Sequence, residues 1–317
     1  MAEIGKDINK AKALLEQGEL VAIPTETVYG LAGNALDVNA VTKIFQVKDR
    51  PYFDPLIVHI ADFASVELFV DEIPIAAKKL AEKFWPGPLT ILLKRKSVIP
   101  DLVTAGLDTV GIRCPDHSLT NQLLQSLSFP LAAPSANPFG YISPTQPSHV
   151  NDQLGEKIKY ILDGGECKVG IESTIIGFDQ ARPTIYRMGG LSIEEIESII
   201  GKVEVQLHST SNPKAPGQLK SHYAPTKQLI LGKLDDLIKV YVNKEVGILS
   251  FQKEQKEIDH ENQRILSPTG DLSIAAQNLF SSLRELDQLN IQIILAEEVP
   301  DFGLGRAIND RLRRAAT

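Results

Sequence analysis

"QVKDRPYFDPLIVHI", residues 46–60, changes character halfway along. The first half closes a helical spacing with Lys48 and Arg50 two positions apart, and Pro51 then halts the chain. The second half, "PLIVHI", is a short apolar run of the kind that forms a buried strand, with a titratable group, His59, inside it. Helix, proline-broken bend and buried strand in succession are the unit of an α/β chain.

The same alternation extends in both directions. Upstream, "INKAKALLEQG" reads as an amphipathic helix closed by Gly18, "ELVAIPTETVYGL" as a strand running into a polar turn, and "NAVTKIFQVK" as a helix. Downstream, "IPIAAKKLAEKFWPG" is a helix ended by Pro86 and Gly87. The strand-like runs "LTILLK", "TVGIRCP", "PLAAPSAN", "KYILDGG", "ESTIIGF" and "TIYRMGG" follow. "SIEEIESIIG" has a capping-box spacing, Ser192 with Glu195 three residues on. From His208 to Lys227 the apolar period stops, and Pro, Ser, Lys and Gly dominate as in a linker. Beyond it, "QLILGK", "EVGILSF" and "IQIILAEEV" read as strands, with helices "LDDLIKVYVNK" and "DLSIAAQNLFSSLRELDQL" between them. "GLGRAIN" reads as a helix start. The expected division is therefore 1–207 for a first α/β domain, 208–227 for a linker, and 228–317 for a smaller α/β domain with a parallel sheet.

Composition narrows the class. With 43% hydrophobic and 23% charged residues, the 317-residue chain is globular, and its length favours two cores. No segment approaches the roughly 20 apolar residues of a membrane span. "MAEIGKDINK" lacks the apolar core of a secretory signal. Two cysteines, Cys114 and Cys167, make no disulfide framework, so a reducing, cytoplasmic setting is expected. Lys plus Arg is 33 against 40 for Asp plus Glu, a net −7 that argues against a whole-surface nucleic-acid platform but allows a local basic cleft. Patterns for a P-loop, a zinc site and a G-x-S-x-G nucleophile elbow are missing from the sequence.

What remains is a series of polar residues where strands end: Thr25, Glu26 and Thr27; His59; Arg113; Ser135 and Asn137, with Ser143 beyond; Ser173; Arg187. In open α/β sheets ligands gather at such ends. Singly, each has an ordinary explanation. Lys48 and Arg50 complement a helix dipole, and His59 fits a hydrogen-bonded core. Ser135 and Asn137 suit turns around Pro134 and Pro138, and the cysteines are small hydrophobes. Arg113 in an apolar strand needs an anion, either internal, such as Asp116, or a ligand carboxylate. Together they favour a ligand with several negative charges, shared by Lys48, Arg50 and Arg187 with the Ser135 and Ser143 hydroxyls, beside a carboxylate on Arg113.

Taken together, "PTETVYGL", "KDRP", "PLIVHI", "WPGPLT", "GIRCP", "PSAN", "ESTII" and "YRMGG", in this order over about residues 20–190, resemble the L-threonylcarbamoyladenylate synthases. "APGQLKSHYAP" with the small domain beyond it resembles their long, two-domain form. The resemblance implies an open, twisted mixed α/β sheet with a concave cleft, of the YrdC-like kind, followed by a smaller Rossmann-like domain. It implies an enzyme, a nucleotidyltransferase that makes L-threonylcarbamoyl-AMP from L-threonine, bicarbonate and ATP, with Mg²⁺ on the ATP. The product would serve other proteins that modify the tRNA adenosine next to the anticodon; direct contact with tRNA is left open. By position, it implies a threonine site of Thr27, His59, Arg113, Ala133 and Ser173. The ATP site would be Lys48, Arg50, Thr109, Ser135, Asn137, Ser143 and Arg187, closed over by Tyr223. Lys48 and Arg50 would carry the catalytic charge. Asp54 departs from the asparagine common in the family. Loss of Arg50 alone is expected to stop pyrophosphate release and leave the fold intact. His59 is expected to orient threonine, and the linker to act as a lid. Two other readings are an RNA-binding or ribosome-maturation module, and a hydrogenase-maturation protein; the second calls for zinc-finger cysteines that this sequence lacks.

Overall fold

The computed structural model describes residues 1–179, 182–207, 215–218 and 223–316. Among these, eleven strands form one mixed sheet. They are β1 (Glu3–Gly5), β2 (Val21–Ile23), β3 (Gly30–Asn34), β4 (Ile57–His59), β5 (Leu89–Lys94), β6 (Thr109–Arg113), β7 (Leu131–Ala132), β8 (Tyr160–Leu162), β9 (Thr174–Asp179), β10 (Arg182–Arg187) and β11 (Glu204–Val205). Their order is β1-β8-β2-β3-β7-β4-β6-β5-β9-β10-β11. Helices α1 (Ile8–Glu16), α2 (Val38–Lys48), α3 (Ile75–Phe84), α4 (Asp101–Thr104), α5 (Ser118–Ser126), α6 (Pro147–Leu154) and α7 (Ile193–Ile200) cover it. The apolar stripes of α2 and α3 pack with β3, β4 and β5 into the main core, around Ile44, Phe45, Leu80 and Ile91.

The second sheet is fully parallel, in the order β12-β15-β13-β14, from β12 (Gln228–Leu231), β13 (Val246–Ser250), β14 (Gln263–Ile265) and β15 (Ile293–Ala296). Helices α8 (Leu234–Val240), α9 (Leu272–Gln288) and α10 (Gly305–Ala315) accompany it. The mixed sheet and the smaller parallel unit are as the sequence led us to expect, and the capping box at Ser192 and Glu195 is formed. The run "PLAAPSAN" is strand only at Leu131–Ala132, because prolines at 130 and 134 remove two ladder donors.

The two sheets do not sit apart. Val28, Ile142 and Ile171 of the first unit share one apolar cluster with Leu229, Leu279 and Phe280 of the second. A polar seam reinforces it. Tyr141 donates its hydroxyl to Asp287 at 2.7 Å, and Arg284 donates to the carbonyls of Ile142 and Ser143. No helix among the described residues is long and apolar enough to cross a membrane.

Candidate active site

The middle of the large sheet builds the site. His59, Arg113 and Arg187 are the last residues of β4, β6 and β10. Parallel pairing of β4 with β6 sets His59 directly beside Arg113, and antiparallel pairing of β10 with β9 brings Arg187 against the start of β9, where Ser173 lies. The side chains of His59, Arg113 and Arg187 line one cavity with Thr27, Arg50, Ala133, Ser135 and Tyr223, while Ser173 stands behind Arg187, outside that lining. Gly30 and Ile57 extend its floor across the sheet face. Gly30 suits that floor, since a Cβ there would stand 3.2 Å from the Cβ of Ala133.

Arg113 has an internal carboxylate after all, but it is Glu26 rather than Asp116. Nη2 donates to Glu26 Oε1 at 2.7 Å, while the Asp116 backbone N–H donates to the other oxygen of Glu26. The sequence could not separate the two, because Glu26 is 87 positions away and reaches Arg113 only through the fold. Nη1 of Arg113 has no hydrogen-bond partner among the described residues, and the side chain lines the cavity.

His59 is 3% exposed. Burial first, and the Arg113 charge second, push its pKa down to about 3, so the ring is neutral. The backbones of Ile57 and Leu131 favour the charged form slightly, but Nδ1 is buried without completing a hydrogen bond. An orphaned polar atom beside a cavity costs free energy unless a ligand satisfies it. Thr27 shares its hydroxyl with that of Thr25 at 2.8 Å, and Ser173 Oγ meets Thr90 at 2.7 Å and accepts from Arg187 Nη2 at 3.0 Å.

The cations are placed differently from one another. Arg187 donates twice to Ser173 and forms no ion pair among the described residues; burial pushes its pKa down to about 10. Arg50 is ion-paired with Asp54 at 2.8 Å and donates to the Asp54 and Pro55 carbonyls. That ion pair does not complete a hydrogen bond at the carboxylate, and burial holds Asp54 above its ordinary pKa. Lys48, a residue 1% exposed, does not line the cavity: its ammonium donates to the carbonyls of Ser135 and Asn137. Burial, then Arg50, lowers its pKa well below the usual lysine value.

Asn137 donates its amide to Pro138 and Tyr141 and leaves Oδ1 unsatisfied. Ser143 donates to Glu172 at 2.5 Å. Thr109 lies outside this cavity and faces a separate depression with Leu92, Phe178 and Tyr186. Part of the linker, residues 208–214 and 219–222, falls outside the described residues. Of the rest, Pro216, Gly217 and Tyr223 cover the cavity. Tyr223 is 1% exposed, stacked on Phe280 at 5.5 Å between ring centroids, with Arg311 and Arg314 over its ring. Glu172 and Arg311 went unnoticed in the sequence. Glu172 sits inside "ESTII", and its burial against a helix 139 residues away left no local signal.

Buried arginines, a neutral histidine and an acid-paired arginine around one cavity of an α/β fold are chemically suited to an anionic ligand. Comparison with known proteins makes the class specific. The Sua5/YciO/YrdC family model, described as "Telomere recombination", matches residues 13–189, and the model "Threonylcarbamoyl-AMP synthase, C-terminal domain" matches residues 191–317. Threonylcarbamoyl-AMP synthase of Pyrococcus abyssi is 42% identical over 98% of this chain and 94% of its own. That of Bacillus subtilis is 40% identical over 98% and 92%. The crystal structure of P. abyssi Sua5 complexed with L-threonine superposes with a TM-score of 0.92 at 39% identity, covering 100% of this chain and 97% of that one. A HypF structure, 23% identical with a TM-score of 0.52 over 59% of this chain, shares the fold alone. The chain belongs to the two-domain Sua5 family of threonylcarbamoyl-AMP synthases, enzymes of the nucleotidyl-transfer kind.

Proposed function

We propose that this cavity joins L-threonine, bicarbonate and ATP into L-threonylcarbamoyl-AMP with release of pyrophosphate. The observation that carries the reading is the sharing of one cavity by His59 and Arg113, suited to a small amino acid, and by Arg50 and Arg187, suited to phosphates. The threonine bound to the P. abyssi relative supports it further.

The threonine amine, having lost a proton to solvent, adds either to the carbon of bicarbonate, which expels water, or to that of CO₂, after which the nitrogen releases one more proton to solvent; both routes give a carbamate. A carbamate oxygen then attacks the α-phosphorus of ATP, and the bond to pyrophosphate breaks. Mg²⁺ arrives on the ATP phosphates as part of the substrate. The chain's own work is placement and charge neutralisation, and alignment of the reactants supplies roughly 7–11 kcal/mol of the barrier.

Arg113 holds the threonine carboxylate with the part of its guanidinium not given to Glu26. His59, neutral, orients the amino acid rather than taking its proton, with Thr27, Ser173 and the Ala133 backbone around it. Arg50 and Arg187 face the phosphates with the Ser135 hydroxyl. Lys48, Asn137 and Ser143 act through the segments they hold, and Thr109 takes no part. Tyr223 and the segment at Gly217 keep water from the carbamate and the mixed anhydride. The product is passed, in the cytoplasm, to proteins that modify the tRNA adenosine next to the anticodon.

Pyrophosphate release measured with threonine and with bicarbonate each left out in turn tests the reading. Release that needs all three substrates is expected. Release that persists without threonine or without bicarbonate contradicts it.

A further inference from the structure

Glu172 places a carboxylate in the wall of a cavity assigned here to a polyphosphate. It is 6% exposed, and burial alone would raise its pKa. The charges of Arg311 and Arg187 and the Ser143 hydroxyl hold it below the ordinary value instead, so it stays ionised. An ionised carboxylate beside bound phosphates repels them unless its charge is cancelled.

The cancelling group comes from the other end of the chain. Arg311, in α10, is fully buried and donates Nε and Nη2 to Glu172 Oε2 at 3.2 and 3.1 Å. Its Nη1 donates to the Met188 carbonyl at 2.6 Å. Glu172 and Met188 stand on either side of the phosphate-facing Arg187. Glu172 immediately precedes Ser173, which accepts two hydrogen bonds from Arg187, and Met188 immediately follows Arg187. One guanidinium therefore pins both segments that frame Arg187 and neutralises Glu172, an acid that would otherwise compete for it.

We propose that Arg311 is a positioning residue for the nucleotide: it holds Glu172 so that Arg187 stays available to the phosphates. Through it, the C-terminal unit completes the ATP half of the catalytic cavity. Without Arg311, Glu172 turns to Arg187, whose charge already acts on it and which forms no ion pair among the described residues, and offers the phosphates a negative wall. This deepens the function proposed above and rests on it.

The test is direct titration of the full chain with Mg²⁺ and ATP, followed by calorimetry, beside steady-state kinetics. Arg311→Met is expected to weaken ATP binding about ten-fold or more, with the KM for threonine changed by less than about three-fold. Glu172→Gln added to Arg311→Met is expected to restore ATP affinity to within about three-fold of the parent, since the uncancelled charge has gone. Unchanged ATP affinity in Arg311→Met, or a double variant as weak as the single one, overturns the proposal. If Arg311→Met does not fold, Glu172→Gln alone decides: binding as tight as the parent's or tighter is expected, and weaker binding overturns it. Should the parent bind ATP and show these effects without threonine-dependent pyrophosphate release, the reaction falls and Arg311's role stands.

Discussion

Buried polar side chains around one cavity set the chemistry, and two of them have consequences measurable in solution. His59 titrates at about 3 in the folded chain against 6.5 ordinarily, so the unfolded chain takes up this proton first as pH falls. Its contribution to stability is full above pH 6.5 and is lost as pH falls from 6.5 toward 3. Thermal melts across that window should show a shallower acid limb for His59→Gln than for the parent. The ring's own NMR signals should stay flat above about pH 5. A titration near neutrality would remove the orienting role and favour a base. For Arg50 the structure adds a stability role to the one expected from sequence. Its ion pair with Asp54 is buried on both sides, 5% and 1% exposed, so Arg50→Ala strands a carboxylate and should cost about 3 kcal/mol or more in stability as well as activity. Adding Asp54→Asn should recover the melting temperature without recovering pyrophosphate release. If the single variant melts like the parent, Asp54 is not held as described.

At the scale of elements, α2 ends by sending Lys48 under the loop after β7, where it binds the carbonyls of Ser135 and Asn137. Lys48→Met should therefore loosen that loop and raise the KM for ATP through Ser135, although the lysine does not line the cavity. A loss confined to kcat would point to direct contact with the reacting phosphates instead. The cover segment is equally constrained. Gly217 has φ +80°, and a Cβ there would stand 3.2 Å from Arg187 Cδ and 3.3 Å from the Tyr223 hydroxyl. Gly217→Ala should cost about 1 kcal/mol or more from backbone strain, and should lower activity by displacing Arg187. Wild-type turnover in this variant would show the cover to be looser than described. Elements of this kind were readable to very different degrees. Longer periodic helices such as α2 and α9, and the apolar strands β5, β6 and β13, announce themselves by spacing. The short α5, α6 and β14 did not, because three to nine residues carry little periodicity and tertiary contact decides them.

Across the whole molecule, the two sheets act as one body. Val28, Ile142 and Ile171 lie in the same apolar cluster as α9 and α10, and Arg284, Asp287 and Arg311 cross the boundary with hydrogen bonds. Unfolding should be a single transition. The one tryptophan, Trp85, lies in the large unit, so its fluorescence and the far-ultraviolet circular dichroism of the whole chain should change together in denaturant. A second transition seen only by dichroism would mean that the smaller unit folds independently. Sequence alone suggested two units joined by a linker, because composition changes after residue 207. It could not reveal that the second unit inserts Arg311 into the first, since contacts 139 residues apart leave no trace in local spacing. The central claim is that amino acid, carbonate carbon and nucleotide react in one cavity. Its most direct measurement is mass spectrometry of the product made from threonine, ATP and ¹³C-bicarbonate. The account predicts a threonylcarbamoyl adenylate carrying the ¹³C label, formed together with pyrophosphate. A threonyl adenylate without label, or AMP alone, would contradict it.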